Sequence, residues 1–285
     1  MRFAVKLAYD GSRFHGSQVQ EGSDMRTVQG DLEKALRRIG ALGDEGKVKF
    51  SSRTDAGVSA LGNVFSVDSD FDEGELLKAL NANLDGIWCW GLGRMRDNQN
   101  PRWANSRWYR YHLPPDPMSP EEVERLRGAL GIFLGTHDFR HFCRLEDERN
   151  TEVQVTRSEA FDVSGSGEMV VADVVGSRFL WHQVRRMVGA ALMIADGTMR
   201  PGQLADLLQA EELNKEQKAL RDSIPTMPAT GLLLMDVDFK DVEFVPDRGA
   251  LELALRNTRD GVWRSTIDIV IRSALLSLKG TFSKE

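Results

Sequence analysis

Apolar positions in the first third of the chain fall into short runs whose spacing switches between two and three-to-four. Residues 3–9, Phe3-Ala4-Val5-Lys6-Leu7-Ala8-Tyr9, read as a period-two strand that ends in a turn at Asp10-Gly11. A loop from Gly11 to about Asp24 follows, with three glycines. Val28, Leu32, Ala35, Leu36 and Ile39 then mark one face of a helix, with Gly40 as its stop. Strands are predicted over 48–52 and 63–67, separated by a loop at 53–60. A helix over 75–81 carries Leu76, Leu77 and Leu80, and a buried strand covers 87–92. The order is β-α-β-β-α-β.

The second half resembles the first in its order of elements, without a clear residue repeat. A strand at 107–113 stops at Pro114-Pro115. Ser119-Pro120-Glu121-Glu122 places a serine N-cap, a proline at N1 and a glutamate at N3, and Leu126, Leu130, Ile132 and Phe133 continue that helix. Strands follow near 153–155, 158–163 and 169–175. An apolar helix runs over 179–195 and ends before Gly197; a short helix at 204–208 and a strand at 232–237 close this half. The expected class is α+β: two similar α/β units with mainly antiparallel sheets, at 1–104 and 105–240. Residues 241–285 form an unassigned, partly helical extension, in which Ile267, Ile269, Val270, Ile271, Leu275 and Leu276 suggest a last amphipathic helix.

Composition adds little to the fold and something to function. The 285 residues are 41% hydrophobic and 28% charged, a soluble globular balance that excludes a disulfide scaffold or a long disordered chain. The longest uncharged stretch, 223–235, is too short for a bilayer and contains Pro225 and Pro228; the chain start shows no signal-peptide core, so a cytoplasmic protein off the membrane is expected. Cys89 and Cys143 are too few and too distant for a disulfide framework or zinc knuckle. The net charge of −6 does not favour nucleic acid, but 27 of the 37 basic residues are arginine, the better group for bidentate phosphate contacts. Between Arg94 and His112 stand five arginines and one acid, Asp97, interleaved with Trp103, Trp108, Tyr109 and Tyr111. Cations beside aromatic faces suit a nucleic acid strand. A strand with one packed aromatic face and one solvated arginine face accounts for the same residues equally well.

The densest candidate for chemistry is Arg53-Thr54-Asp55-Ala56-Gly57-Val58-Ser59-Ala60, a carboxylate just after a strand among small residues that let a bulky substrate approach. Arg53 and Thr54 are placed to orient or pair with it. Alone, the segment reads as a turn with Asp55 capping and Gly57 at positive φ. A rival is His137-Asp138-Phe139-Arg140-His141, two histidines at i and i+4 that would bind zinc from one helix face in a hydrolase. Its acid is aspartate, Arg140 brings repulsive charge, Gly135-Thr136 disfavours a helix, and no third ligand is evident. A polar loop is the preferred reading there, and no metal or cofactor is expected.

The aspartate loop does not stand alone. Ser52-Arg53-Thr54-Asp55-Ala56-Gly57-Val58 resembles the catalytic loop of the tRNA pseudouridine synthase A family. In the same order, Tyr9-Asp10-Gly11-Ser12-Arg13-Phe14 with Gly16 resembles that family's first strand and turn. Thr27-Val28-Gln29 and Leu32-Glu33-Lys34-Ala35-Leu36 resemble its first helix, and Asn81-Ala82-Asn83-Leu84 the segment before its central strand. Arg107-Trp108-Tyr109-Arg110-Tyr111 resembles its R-x-Y-R-Y strand, and Asp138-Phe139 with Phe142 a short motif of its second half. The segment 179–189 resembles its F-x-x-x-x-V-R-x-x-V-G helix, and Gly231-Leu232-Leu233-Leu234 its closing strand. Each motif is weak alone; the ordered set, over roughly 3–237, is specific.

The resemblance implies a pseudouridine synthase-like fold with an active-site cleft between the two units. It implies Asp55 as the catalytic aspartate, Tyr109 as the tyrosine stacked on the target base and Arg185 as the cation paired with the aspartate. Arg53 falls on the loop arginine associated with opening the RNA; Thr54, Arg107 and Arg110 join it as expected substrate contacts. Ser17, Ser52 and Ser59 depart from the family's usual tryptophan, glycine and histidine. The implied reaction breaks the uracil–ribose C–N bond, turns the base and rejoins it through carbon, without redox change, energy source or cofactor. One ionised carboxylate suffices, as nucleophile on the sugar, as an adduct-forming group on the base, or as base toward a ribose proton; an arginine beside such a carboxylate favours its charged form. The implied partner is tRNA, flipped open at uridines 38, 39 or 40 of the anticodon stem-loop and bound by a homodimer. The alternative is a non-catalytic RNA-binding protein on the same fold.

Overall fold

The computed structural model describes residues 1–20, 22, 24–114, 116, 118–145, 150–163 and 169–258. In chain order the elements are strand β1 (Arg2–Tyr9), helix α1 (Val28–Arg38), strands β2 (Lys49–Phe50) and β3 (Ser59–Asp68), helix α2 (Glu73–Asn81) and strand β4 (Ile87–Met95). Then come β5 (Ser106–His112), α3 (Pro120–Gly131), β6 (Gly135–Asp138), β7 (Glu152–Asp162), β8 (Val170–Gly176) and α4 (Gln183–Ala195). The last are α5 (Pro201–Gln209), α6 (Lys215–Ser223), β9 (Leu232–Asp238), β10 (Val245–Pro246) and α7 (Arg248–Thr258). Among the described residues no helix is long and apolar enough to cross a membrane.

Two compact units result: residues 1–105 with 233–258, and residues 106–232. The segment after β9, set apart in the sequence reading as an extension, therefore begins inside the first unit. Residues 267–276, read as a last helix, lie outside the described residues.

In the first unit the strand order is β10-β4-β1-β3-β9, with β2 also on β3. Every pairing is antiparallel except β3 with β9, where Ser59 and Ala60 lie beside Leu233 and Leu234. β1 is flanked on both sides, and all residues from Phe3 to Tyr9 are buried. The period-two pattern read there is thus not an inside–outside alternation. One face carries Phe3, Val5, Leu7 and Tyr9. The other carries Ala4, Lys6 and Ala8 under the returning segment, where Ala8 clusters with Trp88, Trp90, Leu251 and Ala254. Lys6 is tolerated because its ammonium pairs with Asp236 and lies 4.9 Å from the Phe244 ring; a buried cation needs such partners. Asn81 at the end of α2 fastens β4 and α7, donating to the carbonyls of Cys89 (2.8 Å) and Ala250 (3.3 Å).

The second unit has the order β5-β8-β7-β6, antiparallel throughout among the described residues. β8 lies between β5 and β7 as β3 lies between β1 and β2, so the shared element order is matched by shared pairing. The capping box predicted for α3 is formed: Ser119 Oγ accepts from Glu122 N, and Glu122 Oε2 from Ser119 N at 2.7 Å. The strands read at 153–155 and 158–163 are one strand, β7, with a bulge between Val155 and Arg157. The bulge moves the buried positions from Val153 and Val155 to Ser158 and Ala160, which is why the pattern looked interrupted. α6 escaped the hydrophobic reading because it buries no residue; Asn214 caps it by accepting from Gln217 N.

Candidate active site

The 51–58 loop links β2 to β3. Asp55 is half-buried and Arg53 exposed, while Ser51, Ser52, Thr54 and Val58 are buried. The Asp55 carbonyl accepts from Val58 N at 3.1 Å, closing a turn in which Gly57 has φ of +84°, a conformation that favours glycine. The turn and the positive φ of Gly57 are what the turn reading predicted; the remainder of the environment goes beyond a turn.

Three groups of bonds fix the loop from outside. Ser17 Oγ accepts from Thr54 N at 2.8 Å, and Ser17 N donates to Thr54 O at 3.0 Å. The Tyr9 hydroxyl lies 2.8 Å from the Thr54 hydroxyl and accepts from Asn63 Nδ2 at 3.1 Å. Asn63 Nδ2 also donates to Ser52 O at 3.0 Å, and Ser59 Oγ accepts from Gly11 N at 2.9 Å. Ser17 and Asn63 are fully buried. In a low-dielectric setting such a satisfied network is rigid, because each group forfeits water if its partner leaves. Two of the serines that depart from the family pattern, Ser17 and Ser59, are therefore struts of the loop by their hydroxyls, and Ser52 is one by its carbonyl. Thr54, expected to contact substrate, spends its side chain on Tyr9. Sequence reasoning missed Asn63 altogether; its only signal was a buried amide among apolar strand residues.

In the second unit, alternation along β5 divides the R-W-Y-R-Y motif. Arg107, Tyr109 and Tyr111 are buried on one face; Trp108, Arg110 and His112 are half-buried on the other. Tyr109 meets Phe179 edge-on at 5.4 Å between ring centroids. The Tyr111 hydroxyl donates to Pro228 O at 3.0 Å, and burial pushes its pKa up to about 12 against the opposing charge of Arg185. Arg185 sits in the first turn of α4, and its Nε donates to Met227 O. That anchorage depends on Gly189 one turn on: a Cβ there would lie 2.2 Å from Pro225 O, so only glycine lets the 225–227 segment lie against α4. Arg185 thus keeps company with Tyr111, on the Tyr109 face of β5.

Arg107 and Arg110 do not behave as free phosphate contacts. Arg107 is 6% exposed, burial lowers its pKa, and its Nη1 donates to Ser177 O at 2.6 Å. Arg110 grips the buried Asp173 with two bonds of 2.7 and 2.9 Å, and Arg157 shares that carboxylate at 2.9 Å. Both arginines are explained by the unit's own structure; the exposed cation of the expected set is Arg53. The rival metal reading fails on geometry. His137 is in strand β6 and donates to Leu134 O at 2.8 Å; His141, in the turn beyond, donates to Ala210 O at 3.0 Å. The two rings share no helix face, and among the described residues no three His, Cys, Asp or Glu side chains group as metal ligands.

Residues 129–240 match the sequence profile of the tRNA pseudouridine synthase family. A tRNA pseudouridine synthase A of Pyrococcus furiosus is 35% identical over 253 residues, 88% of this chain and 89% of its own. The chain belongs to the tRNA pseudouridine synthase A family. The same enzyme of Methanosarcina barkeri is 34% identical over 284 residues, 97% of this chain and 99% of its own. Among solved structures, a chain of a Cbf5–Nop10–Gar1 complex overlaps 66% of this chain and 45% of its own, at a TM-score of 0.33 and 12% identity. The family is one of isomerases.

Proposed function

We propose that this protein converts uridine to pseudouridine on the 3′ side of the tRNA anticodon stem-loop, at positions 38, 39 and 40, as a cytoplasmic homodimer that flips the target base out of its stack. The observation that carries the reading is the braced 51–58 loop, which keeps one half-exposed carboxylate, Asp55, among small side chains next to the exposed Arg53. A turn with no further role has no use for that bracing. Asp55 is the reacting carboxylate, and Arg53 meets the RNA as its target nucleotide opens. Tyr109 offers a flat face to the detached base, and Arg185, tethered to Met227 O, supplies a positive charge. Arg107 and Arg110 support the strand that carries Tyr109 rather than contacting phosphate.

The test is to incubate the protein with unmodified tRNA and map carbodiimide-reactive pseudouridines. Modification at 38, 39 or 40 is expected. Asp55→Asn keeps the side-chain shape but cannot act as nucleophile or base, so it should abolish turnover and leave tRNA affinity largely intact. Pseudouridine formation by the variant, or none at those positions with the wild type, would overturn the reading.

A further inference from the structure

The surface at the start of α4 holds a group of cations with no part in the chemistry above. Trp181 and His182 close the turn before the helix, and His182 has φ of +65°, the one left-handed non-glycine residue among those described. Such backbone is unfavourable for a residue with a side chain and persists where the surroundings enforce it. Here the backbone of Arg144 ties the turn, its N–H donating to Trp181 O at 2.8 Å. The Arg144 guanidinium lies over the Trp181 ring, 4.1 Å from its centroid. Arg144 is exposed and Trp181 half-buried, so the ring backs the guanidinium while solvent meets its other face.

Two further arginines stand beside this turn. Arg186, one turn into α4, donates through Nη2 to Arg221 O at 2.8 Å, and its buried Nε has no partner. It lies near Cys143, the neighbour of Arg144. Burial, and then the charge of Arg221, disfavour its cationic form. Arg221 has Asp222 at 2.6 Å; among the described residues neither Arg144 nor Arg186 has a carboxylate within ion-pair distance. Arg140, nearby in sequence, is taken by Asp138, and burial keeps His141 toward neutral. Among the described residues, Arg144 and Arg186 lack an ion-pair partner and Arg221 has Asp222, a balance that suits a polyanion. A carboxylate partner would approach a guanidinium by its N–H edge; a nucleobase stacks on its plane.

We propose that Arg144, backed by Trp181, is a stacking shelf for an unpaired base of the tRNA other than the uridine being isomerised, with Arg186 and Arg221 facing the adjoining phosphates. This rests on tRNA being the substrate. The shelf would hold the RNA at the second unit, making Arg144 and Trp181 positioning residues.

The test combines dimethyl sulfate footprinting of bound tRNA with filter-binding affinity and steady-state kinetics, for the wild type, Arg144→Ala, Trp181→Phe and Arg221→Ala. Base stacking of this kind predicts that Arg144→Ala loses protection at one unpaired base and weakens affinity and KM about ten-fold, with kcat changed by less than about two-fold. Trp181→Phe keeps a flat backing and should retain the protection. Arg221→Ala should lower the salt slope of binding by about one. Unchanged protections and affinity in Arg144→Ala would overturn the shelf, as would a loss confined to melting temperature. If the wild type forms no pseudouridine, the proposed reaction fails, while the footprint still judges the shelf. If it forms pseudouridine and Arg144→Ala binds normally, the shelf alone fails.

Discussion

Ser17→Ala is the sharpest probe of whether the loop's bracing is structural. The Ser17 hydroxyl is fully buried and accepts from Thr54 N at 2.8 Å, inside the same loop as Asp55. Removing it leaves the Thr54 amide, on an 8% exposed residue, without that acceptor. An orphaned buried amide costs about 1–3 kcal/mol, and about 2 is a fair centre because the bond from Ser17 N to Thr54 O at 3.0 Å survives. For a chain of this size that is a fall of roughly 4–8 °C in Tm. If the loss is local, amide exchange at Thr54 should quicken by about 30-fold, since each 1.4 kcal/mol is tenfold in an equilibrium constant. Calorimetry and hydrogen exchange read both numbers. Ser17→Thr keeps the oxygen and should recover most of the loss. If Ser17→Ala melts within about 1 °C of the wild type, with Thr54 exchange unchanged, the strut argument is wrong. A change seen only in tRNA affinity would return Ser17 to the RNA-facing surface.

Two further outcomes follow from other parts of the molecule. Tyr109→Phe keeps the ring against Phe179, at 5.4 Å in the wild type, whereas Tyr109→Ala opens a cavity worth about 3–5 kcal/mol. In single-turnover assays well below the melting range Phe should retain clearly more activity, and equal loss would assign the role to the hydroxyl. Asp138 is held at a pKa of about 2 despite burial, by hydrogen bonds from Arg140 and Thr151. A carboxyl depressed in the folded state stabilises above its ordinary range near 4, and that contribution disappears as pH falls toward about 2. Urea melts of the wild type and Asp138→Asn should therefore converge across that window, and parallel curves would exclude the linkage.

Much of this protein is legible from residue order alone. The helices α1 and α3 follow from apolar spacing and caps whose physics is local: Thr27 accepts from Gly30 N and Ser119 from Glu122 N, as their residue types predict. The element order, the α+β class and the aspartate loop could be read because periodicity, turn residues and an ordered set of motifs are written in sequence. Alternation along β5 even sorts Arg107, Tyr109 and Tyr111 from Trp108, Arg110 and His112. What alternation cannot say is which face will be covered. That depends on elements distant in the chain, and it turns Arg107 into a buried strut and Arg110 into the partner of Asp173. The same holds for Lys6, polar in any local reading yet buried because Asp236, 230 residues away, arrives beside it. Ser17, Ser59 and Asn63 are ordinary polar residues until folding brings Thr54, Gly11 and Ser52 within bonding distance. Local sequence chose the elements and the candidate carboxylate, Asp55; long-range packing, where desolvation makes every unpaired group costly, decided which of the other polar residues brace its loop and which remain exposed.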